Sequence, residues 1–230
     1  MNRIRGYLLI FSITSVFLVY SAAFAKDLPK QFSFTEEDSL SEWQEKIFKG
    51  KVLYSVTLER KEGYLSAYSK ESASGIFYKL TFDPKKEPMV SWKWKVLKFP
   101  DKKENVASES AWIEKDDYAA RFYVIFPGIT YNLTRSLEYV WDKTIPEGTI
   151  MTSPYFKNIK IIVVESGEDN LGKWVYEERN VYQDFKSAFG KERSPGPVGA
   201  IALMTDTDNS ISTAEANYDE IKVGYKNETE

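Results

Sequence analysis

The chain has no cysteine and no histidine among its 230 residues. The first absence excludes disulfides, thiolate nucleophiles and Cys-ligated metals. The second removes the Ser-His-Asp triad, the imidazole general base and His-ligated zinc or iron. Any catalysis would have to use carboxylates, Tyr, Lys or Arg, and any metal would be a hard, oxygen-ligated ion such as calcium. Glycine and proline are sparse, at 12 and 9, so no flexible linker divides the chain. There is no internal repeat and, beyond the N-terminus, no apolar run long enough to span a bilayer.

What is present is the composition of a folded chain: 43% hydrophobic, 28% charged and 15% aromatic residues. Residues 1–25 read as a cleaved secretory signal peptide. Asn2-Arg3-Ile4-Arg5 is the basic n-region, Tyr7 to Tyr20 the uncharged apolar core and Ala23-Phe24-Ala25 the small-x-small cleavage site. Export to the periplasm, or secretion, is the expected destination. Residues 26–230 then form one domain with 29 basic and 34 acidic residues, a net charge of −5. An acidic exported domain is a poor candidate for nucleic acid, whose binding rests on clustered Lys and Arg. Without Cys, its size is sufficient to bury a core unaided.

Alternation of apolar and polar residues dominates the mature chain. Val52–Leu58, Tyr64–Tyr68, Ile76–Phe82, Met89–Val96, Ala120–Phe126, Leu137–Trp141, Ile159–Glu165 and Trp174–Glu178 read as strands, as do Val198–Thr205 and Asn217–Tyr225. One helix is expected at 181–189. Asn180 is its N-cap, Gln183 stands at capping-box spacing, Val181, Phe185 and Phe189 share a face, and Gly190 ends it. Many half-buried strands with no βαβ rhythm predict an all-β, two-sheet β-sandwich, first a jelly roll and second a concanavalin-like sandwich.

A run of local sequences carries a resemblance. Trp92-Lys93-Trp94-Lys95-Val96, Ala120-Arg121-Phe122-Tyr123-Val124 and Tyr139-Val140-Trp141 are followed by Val163-Val164-Glu165-Ser166-Gly167 and Trp174-Val175. Then come Glu178-Arg179-Asn180-Val181 and Ile201 through Asn209. In this order the chain resembles the DUF3047 family of uncharacterised exported bacterial proteins, a resemblance that implies no assigned activity. Tyr218-Asp219-Glu220-Ile221-Lys222-Val223 also resembles the closing strand of galactose-binding-like jelly rolls, some of which bind carbohydrate.

Four constellations are candidate sites. Asp206-Thr207-Asp208-Asn209 gathers oxygen ligands that could hold calcium, with Asp206, Asp208 and Asn209 as ligands. It is not an EF-hand, since positions six and twelve are Ile211 and Asn217; the alternative is a polar turn. Arg121 and Tyr123 share the strand face opposite Phe122, Val124 and Phe126, so Arg121 could clamp an anion or form a structural ion pair, as could Arg179. Trp92, Trp94, Tyr139, Trp141, Trp174 and Tyr176 form alternating aromatic pairs, either core or a stacking platform for sugar rings. Glu165, closing an apolar strand, is the best single acid, and Asp206 or Asp208 could complete a glycosidase-like pair. Asn132-Leu133-Thr134 and Asn227-Glu228-Thr229 match glycosylation sequons.

The reading that best joins these features is an exported binding module for a saccharide or other polar envelope ligand. Trp94, Arg121, Tyr123, Tyr139, Trp141, Glu165 and Arg179 are its candidate contacts. The alternatives are a carboxylate-based polysaccharide-acting enzyme and a structural partner for other envelope proteins.

Overall fold

In the computed structural model, residues 28–59, 62–102 and 116–226 are described. The expected signal peptide and the sequon at Asn227 lie outside these residues. Among the described residues no helix is long and apolar enough to cross a membrane.

Two sheets pack face to face as a jelly-roll sandwich. The first contains β1 (Lys30–Phe32), β3 (Leu53–Glu59), β4 (Glu62–Lys70), β6 (Met89–Lys98), β11 (Val175–Asn180) and β13 (Thr213–Tyr225). Its order is β11-β6-β13-β4-β3, with β1 paired to β13. The second contains β2 (Gln44–Lys49), β5 (Ala73–Phe82), β7 (Ala120–Phe126), β8 (Arg135–Asp142), β9 (Ile150–Thr152), β10 (Ile159–Ser166) and β12 (Val198–Asp206), in the order β2-β5-β12-β7-β8-β10-β9. All pairings are antiparallel except β8 with β10. Helix α1 (Val181–Phe189) follows β11 directly, and the Asn180 side chain accepts the Gln183 N–H at 3.0 Å, the expected cap.

The inner faces follow from period two. On β6, Val90, Trp92, Trp94 and Val96 point inward while Ser91, Lys93 and Lys95 point out. Trp92 stacks on Phe122 of the facing sheet with centroids 4.3 Å apart, and Trp94 meets Trp141 at 6.2 Å. Burial of these large rings is the main stabilising term of the sandwich.

The outer faces differ. That of the second sheet is covered: Tyr118, Val140, Ile161 and Val163 form a second small core, with Ile145 and Met151 packed on it. That of the first sheet is open, and Leu53, Tyr68, Leu97, Trp174 and Tyr176 are exposed along it. The acid pair Asp219-Glu220 sits at a bulge of β13, with Glu220 at φ 46°, where the strand exchanges β4 for β1 as its neighbour.

Three short strands, β1, β2 and β9, were not expected. Each pairs at a sheet edge through its backbone, and their residues carry little apolar alternation to reveal them.

Candidate functional site

The open face of the first sheet is built by register. Tyr176 lies opposite Lys93 on β6, and Lys93 opposite Asp219 on β13. Lys95 lies opposite Asn217, and Asn217 opposite Ser66 on β4. Every one of these side chains must point outward, because Trp94, Tyr218 and Leu65 between them point in. Over this polar floor Trp174 and Tyr64 meet edge to face, with centroids 5.8 Å apart. The Lys95 ammonium lies 4.8 Å from the Trp174 ring and 5.4 Å from that of Tyr64. Trp174 is 39% exposed, Tyr176 54% and Tyr68 40%. Large rings exposed on one face beside amide, hydroxyl and ammonium groups offer stacking and hydrogen bonds together. Lys93 is paired with Glu220 at 2.6 Å, whereas Lys95 makes no ion pair among the described residues.

The expected aromatic contacts are corrected. Trp94, Tyr139 and Trp141, with Trp92, are fully buried between the sheets and cannot stack on a ligand. Alternation tells which rings share a face; here that shared face is the core. Of the aromatic pairs, only Trp174 and Tyr176 reach solvent. Tyr64 and Tyr68 were overlooked, although Tyr64, Ser66 and Tyr68 alternate with Leu65 and Ala67 in a way that assigns them to the outer face.

Arg121 and Tyr123 do lie on the face opposite Phe122 and Val124, but that face is the covered one. Arg121 is 3% exposed, and its donors are all engaged. Nε donates to Asp206 Oδ1 at 2.7 Å, Nη1 to Glu138 at 2.6 Å and Nη2 to Asp206 Oδ2 and the Asp116 carbonyl. The Tyr118 ring lies 4.6 Å from the guanidinium. The anion clamp is therefore an internal ion-pair network. Burial, reinforced by Glu138 and only partly offset by Arg121, pushes the Asp116 carboxyl up to about 8.

Asp117, Asp206 and Asp208 bring three carboxylate oxygens within 4.8 Å of one another. As arranged they do not fit a calcium shell. Asp206 is held by Arg121 and the Tyr118 N–H, and Asp117 accepts from Asn209 and the Ser210 N–H. The Asn209 side-chain oxygen accepts the Tyr155 hydroxyl at 2.9 Å. A cation would have to displace these donors, so the loop is a polar turn held by Arg121, Asp117, Tyr118 and Tyr155.

Arg179 donates twice to Asp184, at 2.9 and 2.7 Å, and Asp184 also accepts the Tyr139 hydroxyl at 2.9 Å. This ties α1 to both sheets and leaves Arg179 no free fork. Glu165 faces the sandwich interior beside Trp141, whereas Asp206 is on the outer face of the same sheet with Arg121. The pair imagined between them is not assembled. Glu165 instead neighbours Glu177, an inward residue of edge strand β11. Burial, with Glu165 adding, pushes the Glu177 carboxyl up to about 8.

Fold and open face together define a jelly-roll β-sandwich that presents one aromatic, polar-floored sheet surface. The model of the family described as "Protein of unknown function (DUF3047)" matches residues 41–222, and the chain belongs to that family. Among solved structures it is similar to the family 11 carbohydrate-binding module from Clostridium thermocellum, in complex with a β-1,3-1,4-mixed-linked tetrasaccharide. There the identity is 14% and the TM-score 0.39, over 80% of this chain and 89% of that one. It is also similar to the CBM22-1 xylan-binding domain of Xyn10C from Paenibacillus barcinonensis, with 14% identity and a TM-score of 0.39 over 89% and 99% of the two chains. No curated protein matches the chain.

Proposed function

We propose that the protein is an exported, periplasmic saccharide-binding module whose ligand lies across the open face of the first sheet. The observation that carries the reading is the Trp174–Tyr64 pair, solvent-facing, with centroids 5.8 Å apart over Lys95. The C–H faces of a pyranose stack on such rings, while hydroxyls take hydrogen bonds from Lys95 and Ser66.

The test is calorimetric titration with neutral gluco-, xylo-, manno- and galacto-oligosaccharides, repeated on Trp174→Ala and Tyr64→Ala. Binding of at least one series, weakened about tenfold or more by Trp174→Ala, is expected, which corresponds to a loss of about 1.4 kcal/mol. No binding across the panel, or binding indifferent to both variants, overturns the proposal.

A second reading rests on one observation, the Glu165–Glu177 neighbourhood. A carboxyl held up to about 8 is still protonated at neutral pH, and with a second carboxyl group beside it has the makings of an acid–base pair. Polysaccharide turnover abolished by both Glu177→Gln and Glu165→Gln would establish an enzyme. Absence of turnover, or turnover unchanged in these variants, removes that reading and leaves the binding module.

A further inference from the structure

At one end of the sandwich, away from the open face, a half-open cavity of about 410 Å³ lies between the start of β8, the β9–β10 turn and the end of α1. Its charged lining is of one sign: Arg135, Lys157, Lys160 and Arg193 line it, and no carboxylate does. This is unusual in a chain with more acidic than basic residues. None of the four makes an ion pair among the described residues. Leu133 and Phe189 supply apolar wall, with the Arg135 guanidinium and the Lys160 ammonium each 5.9 Å from the Phe189 ring centroid. Lys160 Nζ donates to the Thr152 hydroxyl at 2.6 Å, which holds the side chain in place without neutralising it.

Two features separate this from an ordinary solvated face. Arg135 Nε is buried and has no hydrogen-bond partner, and an unsatisfied buried donor of a charged group is costly. The C-terminal end of α1 offers some compensation, but a helix end carries only about half a negative charge, against four cations. The excess positive charge is therefore unmatched among the described residues.

We infer that this cavity is an anion site, taking a phosphate- or sulfate-ester group. The Arg135 guanidinium would meet the oxyanion through its Nη groups, and Lys157, Lys160 and Arg193 would balance a dianion. Phe189 and Leu133 would contact the organic body that carries the ester. Such a group could arrive on a soluble sugar phosphate or on a lipid headgroup; the chemistry at the cavity is the same. This site shares no residue with the sugar-stacking face, so the two stand or fall separately.

The test is titration of the protein at low salt with inorganic phosphate, glucose 6-phosphate and phosphatidylglycerol vesicles. Binding is followed by calorimetry or vesicle flotation, and the Arg Nε–H resonances by NMR. The expected result is binding of at least one probe, a shift of the Arg135 Nε–H signal and a tenfold or greater loss in Arg135→Gln. The exposed-side variant Lys157→Gln/Arg193→Gln, which leaves Arg135 in place, should weaken binding in the same direction and reduce its salt dependence. Sugar phosphate without vesicle binding identifies a soluble ligand, and the reverse a headgroup. No binding of any probe, or affinity unchanged in both variants, overturns the inference. Neutral oligosaccharide binding should be the same in these variants as in the parent, which distinguishes failure here from failure of the sheet-face reading.

Discussion

Arg121 and Asp206 face each other on neighbouring strands, Nε to Oδ1 at 2.7 Å, beneath the cover of the second sheet. Glu138 and Asp116 approach the same guanidinium, at 2.6 and 3.7 Å. Removing the cation would leave three buried acidic side chains without their positive partner. Arg121→Gln is expected to lower stability by about 3–5 kcal/mol in urea denaturation. Arg121→Lys should recover only part of that loss, because an ammonium cannot reproduce the bidentate fork. A loss below about 1 kcal/mol for Arg121→Gln would show that the network is not structural.

The tryptophans divide into two kinds. Trp94 is fully buried between Trp92 and Trp141, and Trp94→Ala should cost about 3–5 kcal/mol. Trp174 is 39% exposed, and Trp174→Ala should cost about 1 kcal/mol or less. Denaturation midpoints measure both. Equal costs would mean that Trp174 is a packing residue and the open face a weaker candidate platform.

Stability should fall as pH rises through neutrality. Glu177 and Asp116 are both pushed up to about 8 by burial, whereas unfolded carboxyls titrate near 4. Between those values the folded chain retains protons that the unfolded chain has released. The stabilising effect is complete near pH 4 and lost by about pH 8, at no more than about 1.4 kcal/mol per pH unit for each group. Asp142, lowered in spite of its burial by Lys102 and nearby N–H groups, acts oppositely and only in more acid solution. Glu177→Gln should flatten the slope between pH 5 and 8. An unchanged slope would show that Glu177 is ionised throughout.

Calcium should matter little. The turn at Asp206–Asn209 is closed by Arg121, Asn209 and backbone donors. Thermal unfolding in EDTA and in millimolar calcium should agree within about a degree. A calcium-dependent rise of several degrees, lost in Asp208→Asn, would mean that a cation displaces these donors.

Most strands were legible because period-two alternation is local. Ala120–Phe126 announces itself by it, Ile159–Ser166 by a short apolar run, and α1 by its cap and four-residue spacing. The edge strands β1, β2 and β9 were not, since what makes them strands is a neighbour's backbone and not their own side chains. The candidate site was legible only in part. Trp174 and Tyr176 were singled out, but so were Trp94, Tyr139 and Trp141, and nothing in the pattern separates a buried aromatic pair from an exposed one.

The sequence by itself determined the residue chemistry, the strand-rich pattern and the chain's place among its relatives, because composition and short-range periodicity act over a few residues. Only the tertiary structure decided which sheet face is open, that Arg121 is enclosed by carboxylates, that Glu177 meets Glu165, and that four cations line one cavity with Phe189. Each depends on strands far apart in the chain becoming neighbours, and on which face a loop covers. Those are matters of packing, which no local window contains.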